Sequence, residues 1–268
     1  MAQFQKKRKS KLLKVLLGAG VFAAIAIASI CGVWANTADV QPRAAGDITV
    51  SGAVTGSYST LAEAYAAISS ATTGNVTITV NNNYTMTADD NTAMTTSLAA
   101  LPEAVTVTHQ ATGTLTLPAT FTMPTGSKAS YVFSGNLAGA ATSFTVNGEV
   151  TLQPTKTLSL SNIVMGSEGA HLIIDGNIAL SSWFTFGGVS TLTINKNATF
   201  NTDGYFRSNS NTYAAVGVIN VYGKLLEKHP PNVDTGGIDS LIRNYGIDTL
   251  NLYPGSETTL YATTSSRY

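Results

Sequence analysis

The chain has 268 residues, and its 15 basic and 15 acidic residues give no net formal charge. Six of the basic residues and none of the acidic ones lie before residue 36, so the remainder carries a formal charge of −6. An acidic chain without basic clusters is a poor partner for nucleic acid or anionic lipid. With Cys31 as the single cysteine, an intrachain disulfide framework is excluded, and packing and hydrogen bonds must stabilise the fold.

The first 35 residues predict export. A basic cluster at residues 6–14 precedes an uncharged stretch that runs to Ala35 and ends in Val33-Trp34-Ala35. That layout is typical of a cleaved secretory signal peptide. The stretch is long enough to span a bilayer, so an uncleaved anchor is the alternative, whereas the bulky Ile30 disfavours lipidation of Cys31. We therefore expect a secreted, extracellular protein associated with the cell surface, whose only membrane contact is this segment.

One helix is predicted after the linker and first strand at residues 36–50. In YSTLAEAYAAISS, a single helical stripe is formed by Leu61, Ala64, Tyr65 and Ile68. Thr60 and Glu63 have the spacing of a capping box. No other stretch after residue 35 shows a convincing helical stripe, so the rest of the domain, residues 51–268, is predicted to be all-β.

Apolar residues alternate with polar ones along the rest of the chain, with threonine at many of the polar positions. The 38 threonines all lie after Asn36, and β-branched Thr suits a pleated surface with one wet face. The recurrent apolar positions exclude a disordered Ser/Thr/Asn/Gly-rich chain. The clearest strands are VTITV at 76–80, AVTVTH at 104–109, SFTV at 143–146, LII at 172–174 before a turn at Asp175-Gly176, TLTI at 191–194, VINV at 218–221 and TLNL at 249–252.

Turn residues between these strands recur at the length of one coil of a parallel β-helix. The corner residues are separated by 20 to 32 residues, which is too irregular for a propeller blade: Gly148, Gly176, Lys196, Gly223 and Gly255. Gly, Asn and Asp tolerate the backbone geometry of such corners. A single right-handed parallel β-helix with a short N-terminal capping helix is therefore predicted, with a β-sandwich as the alternative.

The entry of this domain resembles that of a known class. The segment YSTLAEAYAAISSATTGNVTITVNNNYTMTADD resembles the N-terminal part of right-handed β-helix proteins of the pectate-lyase-like and adhesin-like type. In these proteins a short amphipathic helix caps the open end of the coil stack before the first ladder strand. The resemblance implies that Leu61, Ala64 and Ile68 face the stack. It implies little about function, because the fold hosts lyases, hydrolases, esterases, adhesins and passive wall proteins.

One short motif raises the question of catalysis. Asn201-Thr202-Asp203-Gly204 resembles an active-site string of the polygalacturonases, which hydrolyse glycosidic bonds with paired carboxyl groups. The partner motifs of that family, an acidic pair, Gly-His-Gly and Arg-Ile-Lys, do not follow Gly204 in this chain. Asp203-Gly204 is therefore predicted to be a turn, and no catalytic residue is assigned.

Lyase, metal and cofactor chemistry are equally unsupported by the sequence. A lyase needs a basic residue beside acidic calcium ligands, and the arginines and lysines of the C-terminal third are dispersed. The acidic stretch Asp89-Asp90-Asn91 is interpreted as a solvated loop. The histidines His109, His171 and His229 lack metal-ligand spacing and are interpreted as exposed or corner residues. We expect no metal and no cofactor.

Aromatic residues supply the remaining candidate site. Tyrosines concentrate in the C-terminal third, and on the side of a β-helix they can stack on sugar rings or contact proteins. The predicted binding residues are Tyr205, Tyr222, Tyr245 and Tyr253. Tyr222 and Tyr253 occupy equivalent places beside corner residues, which predicts that they align; the alternative is that some of these tyrosines belong to the core.

Three functions remain open on these observations. The first is a non-catalytic adhesive or structural protein of the cell surface, whose partner is a glycan or a host or cell-surface protein. The second is a polysaccharide-active enzyme, a glycoside hydrolase or lyase, supported only by the fold resemblance and by Asp203. The third is a purely structural subunit of a wall or filament.

Overall fold

The structure is a computed structural model that describes residues 46–204, 206–208, 217–227 and 247–259. The predicted signal peptide and most of the predicted linker lie outside these residues. The N-terminal elements are β1 (Ile48–Gly52), β2 (Gly56–Tyr58), α1 (Leu61–Ile68), β3 (Gly74–Val80), β4 (Tyr84–Thr85) and α2 (Ala88–Ser97). The coils then run through β5 (Val105–Thr116), β6 (Thr120–Thr122), β7 (Ser130–Ala138), β8 (Ser143–Val146), β9 (Glu149–Pro154), β10 (Leu158–Leu160), β11 (Asn162–Met165), β12 (His171–Ile174), β13 (Asn177–Leu180), β14 (Phe184–Phe186), β15 (Ser190–Ile194), β16 (Thr199–Thr202), β17 (Phe206–Ser208), β18 (Gly217–Val221), β19 (Lys224–Glu227), β20 (Ile247–Leu252) and β21 (Glu257–Thr259).

The strands form three sheets that wind into a β-solenoid of about 5 turns. Sheet 1 has the order β2-β1-β3-β5-β7-β9-β12-β15-β18-β20, with β4 beside β5. Sheet 2 is β10-β13-β16-β19-β21, and sheet 3 is β17-β14-β11-β8-β6. Every pairing is parallel except those of β1 with β2 and β3. The all-β parallel β-helix prediction is confirmed, and the β-sandwich alternative is wrong.

The predicted helix is α1, and its sequence signals act as expected. Thr60 and Glu63 form the reciprocal capping box, with the Glu63 amide donating to the Thr60 hydroxyl at 3.2 Å. The stripe Leu61, Ala64, Tyr65 and Ile68 is buried. An amphipathic helix is stabilised mainly by burying such a face, so α1 covers the hydrophobic core at the N-terminal part of the solenoid.

A second helix, α2, contradicts the prediction that α1 is the only one. It begins after a capping box of Thr87 and Asp90, whose carboxylate accepts from the Thr87 amide at 2.9 Å and from the Tyr84 hydroxyl at 3.1 Å. Asp90 and Asn91 are buried, so the interpretation of residues 89–91 as a solvated loop is wrong. The helix lacks a regular apolar stripe, and it is held by its cap, by the completely buried Met94 and by the Asn91 amide, which donates to the Thr122 carbonyl. No helix of the described residues is long and apolar enough to cross a membrane.

The core is a set of apolar columns that run from coil to coil. Leu152, Ile174, Ile194 and Val221 are register partners of one another in sheet 1, and each is almost completely buried. Burying one such side chain contributes roughly 1.5–3 kcal/mol. The column reaches Leu252 in the last described strand of sheet 1, where the side chain is 56% exposed. The burial of a rung therefore depends on the coil that follows it.

The corner between sheets 1 and 2 aligns three of the five predicted corner residues. Gly176, Lys196 and Gly223 lie two residues after the register partners Ile174, Ile194 and Val221. A Cβ on Gly223 would overlap the carbonyl oxygens of Asn195 and Ala198, so the backbones of successive coils approach closely there. Gly148 instead lies between β8 and β9, at the corner between sheets 3 and 1, so its assignment to the same series is wrong.

Candidate functional site

Tyr222 and Tyr253 stack on each other at the corner between sheets 1 and 2. They follow the register partners Val221 and Leu252, and their amides continue the ladder by donating to the carbonyls of Ile194 and Val221. The ring centroids are 3.9 Å apart and the planes differ by 14°. The predicted alignment of the two tyrosines is confirmed, and their role in binding stays a prediction.

The other aromatic candidates do not join this pair. Tyr205 and Tyr245 lie outside the described residues, so nothing is said of their placement. Phe206 is fully buried in the core against Phe184. Trp183, at 38%, and Tyr222, at 39%, are the exposed large aromatic side chains among the described residues, and Trp183 lies at the opposite end of sheet 2, between β13 and β14.

A groove lies along the same corner on the side of Tyr222 that faces earlier coils. We name it the corner groove; its volume is about 390 Å³, and it is lined by Asp175, Asn195, Lys196, Asn197 and Tyr222. Asp175, Asn195 and Tyr222 occupy equivalent positions in three successive coils, one residue after Ile174, Ile194 and Val221. The sequence reasoning placed Asp175 and Lys196 at corners but did not assign them to a site. Their positions immediately after apolar strands were the available signal.

The charged groups of the corner differ in their pairing. The Asp175 carboxylate accepts a hydrogen bond of 3.0 Å from the Gln153 side-chain amide in the preceding coil. Lys224 forms an ion pair of 2.6 Å with Glu257. Within the part of the chain that the structure describes, Lys196 has no ion pair, so its ammonium group remains available to a ligand.

The stacked pair also affects the ionisation of Tyr222. A hydrogen bond with the Tyr253 side chain, followed by desolvation, raises the pKa of Tyr222 above its ordinary value. Tyr222 is therefore a neutral phenol at neutral pH, and its ring presents an uncharged surface to the groove.

A second polar row crosses the outer face of sheet 1. The Ser130 hydroxyl donates to Glu149 at 2.7 Å, Nδ1 of His171 is 3.7 Å from Glu149, and Nε2 of His171 is 2.9 Å from the Thr193 hydroxyl. Burial lowers the pKa of His171, and the charge of Glu149 opposes this shift. His171 is half-buried on a sheet face, so its interpretation as an exposed or corner residue is corrected.

The order hydroxyl, imidazole, carboxylate in this row is that of an acyl-transfer relay. Such a relay also needs N–H donors aimed at the oxyanion of the transition state. The backbone of β15 around Thr193 is paired on both sides, with β12 and with β18, so its amides are engaged in the sheet. The row joins four coils through two hydrogen bonds and the 3.7 Å contact between His171 and Glu149.

Asp203 lies in a turn, as the sequence predicts. It follows β16, and the Thr202 hydroxyl accepts a hydrogen bond of 3.1 Å from the Gly204 amide across it. From the sheet 2 register, the equivalent positions in the two preceding coils are Ser181 and Ser161. The two preceding coils therefore place serines, rather than a second carboxylate, level with Asp203, whereas in the following coil Glu227 is the register partner of Thr202.

The predictions for the other two histidines, His109 and His229, have different outcomes. His109 is completely buried, stacks on Phe133 and lies 3.0 Å from the Tyr65 hydroxyl, so its prediction as an exposed or corner residue is wrong. His229 lies outside the described residues. Over residues 46–204 and the three shorter described segments, no group of three or more His, Cys, Asp or Glu side chains could hold a metal ion.

Comparison with known proteins identifies no relative of the chain. No family model matches the chain, and no curated protein or solved structure matches it either.

Proposed function

We propose that the chain is an exported cell-surface β-solenoid protein that binds a glycan through the corner groove and has no catalytic role. The observation that carries the proposal is the stacked pair Tyr222 and Tyr253, which projects from the solenoid beside polar side chains. Exposed aromatic rings flanked by amides and a carboxylate suit sugars, whose rings have apolar faces and hydroxyl edges. Export rests on the signal-like residues 1–35, and the likeness to adhesin-like β-helix proteins belongs to the same proposal.

The rival functions find less support in the described residues. A polysaccharide-active enzyme of the pectate-lyase-like type needs a second carboxylate near Asp203, and the two preceding coils place Ser181 and Ser161 at the equivalent positions. A filament subunit that grows by stacking coils needs open sheets at both ends. Here α1 packs near β1 and β2, and β1 and β2 are antiparallel to the ladder, so the N-terminal end does not continue the parallel stack.

A glycan array and a whole-cell binding assay on the purified protein test the proposal. The Tyr222→Ala/Tyr253→Ala double variant is expected to lose at least about fivefold in affinity, since stacking of a nucleic-acid base, another planar ring ligand, on an aromatic side chain contributes about 1–3 kcal/mol. Trp183→Ala is the matched control, because that side chain is equally exposed but lies at another corner.

Circular dichroism checks that all variants keep the strand content of the parent protein. Binding that disappears in the double variant and persists in Trp183→Ala supports the proposal. Absence of binding to every glycan and cell, or equal binding by the double variant and the parent, contradicts it.

A further inference from the structure

We infer that the corner groove selects an uncharged saccharide segment, with one sugar ring on the free face of Tyr222 and its hydroxyls on Asp175 and the two asparagines. This inference rests on the proposed function and narrows it to a ligand class. It follows from the position of the stacking surface, from the polar groups beside it and from the balance of charge.

The stacking surface is held in place before any ligand arrives. Tyr253 covers one face of the Tyr222 ring at 3.9 Å. The groove lies on the other side, towards Asn195 and Asp175. A ring that is already oriented loses little conformational freedom on binding, which favours affinity. The free face is apolar and uncharged, as is the face of a pyranose ring.

The polar side chains beside Tyr222 match the edge of a sugar. Sugar hydroxyls donate and accept hydrogen bonds, the Asp175 carboxylate accepts, and the amides of Asn195 and Asn197 do both. Gln153 donates to one Asp175 oxygen at 3.0 Å and so orients the carboxylate. Each Asp oxygen has more than one acceptor site, so Asp175 can still accept from a hydroxyl.

The size of the groove favours a short segment over a large molecule. Asp175, Asn195 and Tyr222 belong to three adjacent coils, and neighbouring strands lie about 4.8 Å apart, so the row extends over roughly 10 Å. The volume of about 390 Å³ is near the lower end of small-molecule sites, which range over about 300–1,000 Å³. The ligand is therefore bound as a short stretch of a chain whose remainder stays outside.

The charged residues that line the corner groove favour a neutral ligand over an ionic one. Lys196 and Asp175 are both exposed, and they belong to adjacent coils of the same corner. The formal charges of Asp175 and Lys196 sum to zero, so the lining of the corner groove offers no net electrostatic attraction to a ligand of either sign. A neutral saccharide needs no such attraction, and its affinity does not depend on long-range charge interactions.

The test uses an array that holds neutral, carboxylated, sulfated and amino-sugar oligosaccharides in separate sets. We expect neutral oligosaccharides to bind, with their affinity changing less than about twofold between about 50 and 200 mM salt, where charge contacts would be screened. Tyr222→Phe is expected to bind within about threefold of the parent protein because the ring remains, whereas Tyr222→Ala loses at least about fivefold.

The outcomes separate this inference from the proposed function. If tyrosine-dependent binding is confined to charged glycans, or if raising the salt lowers the affinity more than tenfold, the selection of neutral saccharides is contradicted. The proposal that the protein binds glycans then still stands. Cell binding that survives periodate oxidation of the surface glycans indicates a protein partner and overturns both. Equal loss in Tyr222→Phe and Tyr222→Ala assigns the effect to the hydroxyl and overturns the stacking role.

Discussion

Aromatic rings stack between successive coils both inside and outside this solenoid, and the two settings differ in what the stacking does. Inside, His109 lies on Phe133 with centroids 4.3 Å apart, and Phe121 lies on Phe144 at 5.2 Å. Outside, Tyr222 lies on Tyr253 at 3.9 Å. Each pair occupies equivalent positions in adjacent coils. The coil repeat therefore brings aromatic residues that share a ladder position into contact, stacked in these three pairs and tilted by 37° in Phe184 and Phe206.

Whether a stacked ring points into the core or out to solvent determines what the stacking does. An inward ring is surrounded by other coils, so both of its faces contribute to stability through burial and packing. An outward ring at a corner is supported on one face and free on the other. The same geometry stabilises the core in one place and presents a binding surface in the other, and the following predictions test that distinction.

The largest effect is expected from removing an inward ring. Phe184 is fully buried and packs on Phe186, Phe200 and Phe206. Phe184→Ala should lower the free energy of unfolding by about 3–5 kcal/mol, because it removes apolar contacts and leaves a cavity. Urea unfolding followed by circular dichroism measures this change. A loss below about 1 kcal/mol would mean that the Phe184 site is not a packed core.

An intermediate effect is expected from acid acting on the inward His109. Burial lowers its pKa to about 3, opposed in part by the Val132 backbone, so the folded protein keeps this group neutral. The unfolded chain binds the proton near the ordinary pKa of about 6.5. The contribution of neutral His109 to the free energy of unfolding is therefore fully present above about pH 6.5 and is lost progressively as the pH falls towards 3. The loss is on the order of 3 kcal/mol at about pH 4.

Urea unfolding at a series of pH values measures the acid loss. The Tyr65→Phe/His109→Phe double variant is the control, since it replaces the buried polar pair with rings of similar shape and removes the titration. Its free energy of unfolding should change less between pH 6.5 and 4 than that of the parent protein. An identical acid loss in both proteins would show that other groups cause it.

The smallest effect is expected for the stability of the outward pair. A double-mutant cycle on Tyr222→Ala and Tyr253→Ala should give a coupling of about 0.5–1.5 kcal/mol, the usual contribution of a stacked aromatic pair. Thermal or urea unfolding of the four proteins provides the values. A single Tyr222→Ala loss comparable with that of Phe184→Ala would place Tyr222 in the core and remove the distinction between the two settings.

The fold followed from the sequence because its signals are local and repeated. Alternation of apolar residues with Thr predicted strands such as Val76–Val80, and Thr60 with the stripe from Leu61 to Ile68 predicted α1. The alternation also contained information that the prediction did not use. His109 continues the inward series Val105 and Val107, so period two places it in the core even though histidine is polar.

Other features were missed because their stabilising partners are distant in the chain. The helix α2 has no apolar stripe, and its local signal was the Thr87–Asp90 capping box alone. The amide of Asn91 bonds the carbonyl of Thr122, far along the sequence. For the site, the sequence indicated Tyr222 and Tyr253 from their places beside corners, but it did not join them to Asp175, Asn195 and Asn197.

The sequence by itself determined that the chain forms short, alternating strands joined by corners, because side-chain period and turn chemistry act within a few residues. Apart from the alignment of Tyr222 with Tyr253, the tertiary structure decided which residues become neighbours between coils, because the unequal lengths of the coils hide the register. That register brings Asp175, Asn195 and Tyr222 into one row and leaves Leu252 exposed at the last described rung. The candidate site is therefore a property of the winding, since no single coil contains it.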